Sequence, residues 1–160
     1  MVRMKVKVVG FAQDTMQLVV VITDLEEKGF IPIVIGPAEA FAINQGLEGH
    51  KSPRPMTHDL LKNIVEALNT KVDRIVINDL RDETYYARIY LKTKDGVLEV
   101  DSRPSDAIAL HVRCGTPLYV SEEVAAKAMI SKPIDDKEME EFHKFVEGLT
   151  PDDFMKNLKE

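Results

Sequence analysis

The chain has 160 residues, 44% of them hydrophobic and 30% charged, with a formal net charge of -6. That length and apolar content suit one soluble domain with a real core. No window approaches the roughly 18 to 20 continuous apolar residues of a membrane span, and the acidic balance argues against gripping nucleic acid through bulk charge alone.

The N-terminus, MVRMKVKVVG, alternates charge with valine and lacks a signal peptide's apolar block. Residues 2–9 have the period of two expected of a half-buried strand, and 16–22 (MQLVVVI) form an apolar run suited to a strand covered on both faces. A third strand is predicted over 30–36 (FIPIVIG), where Pro32 lacks an amide donor and favours an edge. PAEAFAINQGL at 37–47 predicts a helix, with Pro37 in its first position and Glu39 in its positive first turn. THDLLKNIVEALNT then predicts an amphipathic helix with Thr57 as N-cap and Leu60, Leu61, Ile64, Val65 and Leu68 on its buried face.

Three more strands are predicted at 72–79, 84–93 and 97–102, the last two joined by a KDG turn. PSDAIALHVRCG at 104–115 predicts another helix beginning with proline, PLYV a short strand, and SEEVAAKAM a helix with two acids in its first turn. The single cysteine, Cys114, has no disulfide or metal-ligand partner in sequence, so a reducing, cytoplasmic compartment is expected. Residues 131–160 are acidic and helical in pattern, with apolar anchors Met139, Phe142, Phe145 and Val146. They hold nine acids and five bases, which leaves residues 1–130 close to charge balance.

Pro37 and Pro104 are 67 residues apart, and a gapless shift by that amount superposes two β-β-β-α patterns. Gly29 falls on Gly96, Ala40 on Ala107, Ala42 on Ala109, and Glu39 on Asp106. The fold expected is α+β: duplicated β-β-β-α units, approximately 2–48 and 70–115, forming one strongly curved, largely antiparallel sheet packed with helices. A domain over 1–130 and an acidic helical extension over 131–160 complete the expectation.

Two polar segments stand at helix starts. Ser52-Pro53-Arg54-Pro55-Met56-Thr57-His58-Asp59 brings a guanidinium, an imidazole and a carboxylate to backbone amides that favour anions such as phosphate. Asp101-Ser102-Arg103-Pro104-Ser105-Asp106 offers two carboxylates suited to a hard divalent ion and an arginine suited to phosphate. Each segment also has a structural reading, in which prolines shape the loop, acids complement helix dipoles and arginines pair with carboxylates. Tyr86 and Tyr90 share one face of their strand and Tyr85 the other, which serves base stacking and ordinary packing alike. There is no HxxxH, CxxC, GxSxG or GxxxxGK[ST] pattern, so assignments to zinc protease, zinc ribbon, serine hydrolase and P-loop enzyme are excluded as far as motifs can exclude them.

Three ordered blocks, IPIVIGPAEAFAI, SPRPMTHDLL and VDSRPSDAIALHVRCGTPLYV, resemble the signature of the bifunctional nuclease domain family over approximately residues 2–130. The resemblance implies duplicated β-β-β-α units, frequent dimers, and nuclease activity on DNA and RNA. Its shared polar positions are Glu39, Arg54, His58, Asp59, Asp101, Arg103 and Asp106. The chain lacks the basic extension of the plant members, which weighs against strong nucleic-acid affinity. The leading expectation is a phosphodiester hydrolase using Mg²⁺ or Mn²⁺. In it Asp101 with Asp106 or Glu39 holds the ion, Arg54 and Arg103 bind phosphate, and His58 with Asp59 positions or deprotonates water. This requires the two segments to converge in one cleft. Its rivals are a non-catalytic dimeric interaction or regulatory module and, more weakly, a binder of small phosphorylated ligands.

Overall fold

The computed structural model describes residues 1–12 and 14–131. The extension expected over 131–160, with its anchors Met139, Phe142, Phe145 and Val146, falls outside the described residues except for Ser131. Two antiparallel meanders supply most of the sheet. The first is β1 (Val2–Ala12), β2 (Gln17–Asp24) and β3 (Phe30–Val34); the second is β4 (Lys71–Arg81), β5 (Thr84–Thr93) and β6 (Gly96–Ser102). Between them lies the three-residue β7 (Leu118–Val120), antiparallel to β1 and parallel to β4, in the order β3-β2-β1-β7-β4-β5-β6. Each meander is followed by a helix that starts with proline, α1 (Pro37–Leu47) and α3 (Pro104–Cys114). α2 (Thr57–Ala67) links the halves, and α4 (Glu122–Ala128) follows β7. The architecture is therefore α+β, with one seven-stranded sheet and four helices among the described residues. No helix among them is long and apolar enough to cross a membrane.

Local sequence explains most of these elements. The apolar run of β2 is buried from Leu18 to Thr23, as a strand covered on both faces requires. β1 outlasts its expected end because a bulge between Val6 and Val8 resets the register, so that Gly10, Phe11 and Ala12 pair with Val19, Leu18 and Gln17. Pro32 lies on β3, an edge of the sheet, where its missing amide costs no ladder bond. α1 and α3 approach closely through Ala40, Ala107 and Ala109, all fully buried. Gly46, inside α1, belongs to the same contact: a Cβ there would overlap the Val112 side chain. α3 ends at Gly115, whose φ of 67° closes the helix in the left-handed region.

α2 departs from expectation in two respects. Met56, not Thr57, is its N-cap, because the Asp59 carboxylate at the third position reaches back and accepts the Met56 amide at 3.0 Å. Its apolar stripe also faces out. Leu60, Ile64 and Leu68 are 51%, 50% and 71% exposed, Leu61 is exposed as well, and only Val65 of the expected face is half-buried. The helix meets α3 through polar groups instead: His58 to Asp106, Asp59 to Arg113, and the Lys62 ammonium to the Arg113 carbonyl.

Candidate active site

Three helices begin around one cleft of about 230 Å³. α1 contributes Glu39, α2 His58 and Asp59, and α3 Asp106, with Arg103 immediately before α3 and Arg113 from its last turn. Proline at the first position of α1 and α3 sets each start without losing a hydrogen bond, since those amides have no partner within the helix. The two polar segments thus converge, although 48 residues separate His58 from Asp106.

His58 is the centre of this arrangement. Its side chain is 8% exposed, and its Nε2 lies 2.9 Å from Asp106 Oδ1. Burial raises the Asp106 carboxyl, but hydrogen bonds from Arg103 and His58 outweigh it and leave the group below the ordinary aspartate value. An ionised Asp106 only accepts, so His58 Nε2 carries the proton and, in the neutral ring, Nδ1 keeps the lone pair. Nδ1 has no hydrogen-bond partner among the described residues. An imidazole held in one tautomer by a carboxylate, with its other nitrogen unengaged, is the arrangement a general base needs.

The arginines divide into bracing and available groups. Arg103 donates from Nε to Asp106 Oδ2 and from Nη2 to Glu39 Oε1, both at 2.8 Å, and its side chain remains 64% exposed. Among the described residues, only two of its N–H donors are therefore committed. Arg113, which sequence reasoning missed, is 8% exposed at the side chain and donates to Asp59 Oδ1 and to the Ala109 carbonyl, each at 2.8 Å. The signal for it was present, as a charged residue in the otherwise apolar run AIALHVRC. Asp59 is held below its usual range, first by the Met56 amide and then by Arg113, so its carboxylate braces α2; it is not among the hydrogen-bond partners of the His58 ring within the described residues. Arg54 is exposed, has no ion pair or hydrogen bond among the described residues, and stands in the loop before α2 outside the cleft lining.

The acids expected to hold Mg²⁺ or Mn²⁺ are divided between the cleft and the sheet. Glu39 and Asp106 both pair with Arg103, each at 2.8 Å. Asp101, on β6 opposite Arg88, is exposed and lies outside the cleft lining. Among the described residues no group of three or more His, Cys, Asp or Glu is placed to hold a metal ion.

A larger groove of about 640 Å³ lies at the far ends of α2 and α3, lined by Lys62, Glu66, Lys71 and Cys114 among others. It gathers no comparable acid-base pair, and burial pushes the Cys114 thiol up, away from the reactive thiolate. The smaller cleft is the better site because chemistry converges there. Its volume falls below the roughly 300 to 1,000 Å³ of pockets that enclose a small ligand.

A family profile described as bifunctional nuclease domain matches residues 20–133, which include α1, α2, α3 and the whole cleft. An uncharacterized protein of Mycobacterium tuberculosis is 35% identical over 162 aligned residues, covering 94% of this chain and 97% of that protein. Bifunctional nuclease 1 of Oryza sativa subsp. japonica and bifunctional nuclease 2 of Arabidopsis thaliana are each 26% identical over 98 residues. Those matches cover 59% of this chain and 30% of the plant proteins.

Proposed function

The chain belongs to the bifunctional nuclease domain family, and on that footing we propose that it hydrolyses phosphodiester bonds of DNA or RNA at the cleft shared by α1, α2 and α3. The match covers under a third of the plant nucleases, so their activity enters here as a reading of this chain's own residues. One observation carries it: a 2.9 Å hydrogen bond joins His58 of the first polar segment to Asp106 of the second. Arg54, exposed beside the cleft and without a partner among the described residues, takes a backbone phosphate before the start of α2, and the uncommitted donors of Arg103 take a second oxygen. His58 Nδ1 accepts the proton of the attacking water while Asp106 and Arg103 hold the ring and stabilise the imidazolium that forms. Glu39 keeps Arg103 aimed.

The test is cleavage of labelled single-stranded DNA and RNA by purified protein with Mg²⁺, Mn²⁺ or EDTA, beside Arg54→Ala/His58→Ala and His58→Gln variants. The glutamine keeps a donor towards Asp106 but removes the base. Loss of cleavage by about 100-fold or more in both variants, with melting unchanged, supports the site. Equal cutting by all three proteins refutes it, and the chelator arm reports on the expected divalent ion.

A second reading, a dimeric interaction module, is favoured by α2. Its outward stripe of Leu60, Ile64 and Leu68 is bordered by Asn63 and Ala67 and contains no charge, so two copies of an acidic chain meet there without like-charge repulsion. We therefore read the protein as a cytoplasmic homodimer that pairs through α2, an assembly compatible with either activity. Light scattering gives its mass directly.

A further inference from the structure

The face of the sheet opposite the core carries a pattern that the cleft does not use. On β5, Ala87 and Ile89 belong to the core shared with α3, so the alternate residues Tyr86, Arg88, Tyr90 and Lys92 project from the other side. Their partners across the ladder share that face: Arg74 is opposite Tyr90, and Lys71 is opposite Lys92. The Arg74 guanidinium lies over the Tyr90 ring, 4.1 Å from its centroid, and Arg81 lies over Tyr86 at 4.2 Å. Rings and guanidinium groups therefore alternate along one direction, with Arg88 midway between tyrosines about 13 Å apart at the ordinary strand rise.

Each arginine also meets one carboxylate: Arg81 with Asp79 at 2.8 Å, Arg88 with Glu99 at 3.5 Å, and Arg74 with Asp73. These contacts orient the guanidinium planes and leave the Arg81 and Arg88 side chains 62% and 41% exposed. Lys71 and Lys92 have no ion-pair partner among the described residues and extend the positive charge along the face.

We propose that this face is a binding platform for single-stranded nucleic acid, separate from the cleft. Bases stack on the tyrosine-guanidinium pairs, and Arg88 with the two lysines receives phosphates. Flat π-faces at strand spacing fit unpaired bases, whose rings are inaccessible in a duplex. The carboxylates paired with the three arginines, and Asp101 opposite Arg88, leave this face near charge balance on a chain that is acidic overall, so stacking carries the preference and a polyanion meets no strong repulsion. Binding here does not depend on cleavage at the cleft.

Fluorescence anisotropy with short labelled single strands of DNA and RNA, and a duplex of the same length, tests this on the full chain at low and moderate salt. Single strands are expected to bind more tightly than duplex, with an affinity that falls as salt rises. Tyr86→Ala/Tyr90→Ala should weaken binding ~30-fold or more, while Tyr86→Phe/Tyr90→Phe, which keeps the rings, should bind as the wild type does. Arg88→Glu, at a half-exposed position, should weaken it without disturbing the core. Absence of binding by the wild type, undiminished binding by both the alanine pair and Arg88→Glu, or equal affinity for duplex would each overturn the proposal. His58→Gln should leave binding intact, so failed cleavage with retained binding counts against the cleft alone.

Discussion

α2 and α3 lie against each other, have 11 residues each, and use their surfaces in opposite ways. α3 buries Ala107, Ile108, Ala109 and Leu110 against the sheet, and its few polar groups sit at its ends. α2 turns His58, Asp59 and Lys62 towards α3 and leaves its leucines and isoleucine in solvent. Hydrophobic periodicity identifies the stripe on each helix but carries no information about which side the fold covers. α3 is held by burial, whereas α2 packs only Val65 against the core and meets α3 through three polar contacts, two of which build the cleft.

This contrast makes unequal predictions for the two helices. The largest effect belongs to α3: Ile108→Ala, at a fully buried position, should cost about 2 to 5 kcal/mol in denaturant unfolding, and a loss under 1 kcal/mol would show that α3 is not the core helix. The next concerns acid. Asp106 faces Arg103 and His58, Asp59 faces Arg113 and the Met56 amide, and both carboxyls sit below their ordinary values. Stability from a depressed carboxyl is present above its unfolded value, around pH 4, and is lost as pH falls through the lower folded value. Hydrogen exchange followed by mass spectrometry should show the amides of α2 losing protection before those of α3 below about pH 4. Simultaneous loss would mean that the ion pairs do not hold α2. The smallest effect on folding belongs to the outer face: Ile64→Lys should change unfolding stability by no more than ~0.5 kcal/mol at a concentration where the protein is monomeric, yet abolish the dimer. A dimer that persists in this variant would move the interface elsewhere.

Much of the fold was legible because local rules agreed with it. Alternation in β1, the apolar run of β2, and prolines at the starts of α1 and α3 each have a physical cause acting within a few residues. β7 was legible as a short strand, but its place at the centre of the sheet was not, because three residues show no period and the position depends on pairing with both β1 and β4. The N-cap of α2 was misread for a related reason: Thr57 has the right chemistry, but Asp59 completes the cap from inside the helix. At the site, sequence reasoning placed Glu39, His58, Arg103 and Asp106 among the polar groups of interest, and the fold brings all four to one cleft. It grouped Arg54 and Asp101 with them, and both fall outside the lining, Asp101 at the end of β6. Proximity in sequence to Arg103 could not reveal this, since side chains alternate between faces up to the point where α3 begins.

The central claim is that the cleft acts on phosphodiesters and is more than a brace for α2. Arg54 separates these roles best, because it is exposed, has no partner among the described residues and supports no helix contact. The decisive measurement is single-turnover cleavage of a labelled strand by Arg54→Ala beside the wild type, with melting temperature recorded for both. The account predicts an unchanged melting temperature and a cleavage rate lower by about tenfold or more, as loss of a charge-assisted phosphate contact implies. An unchanged rate at equal stability would contradict it.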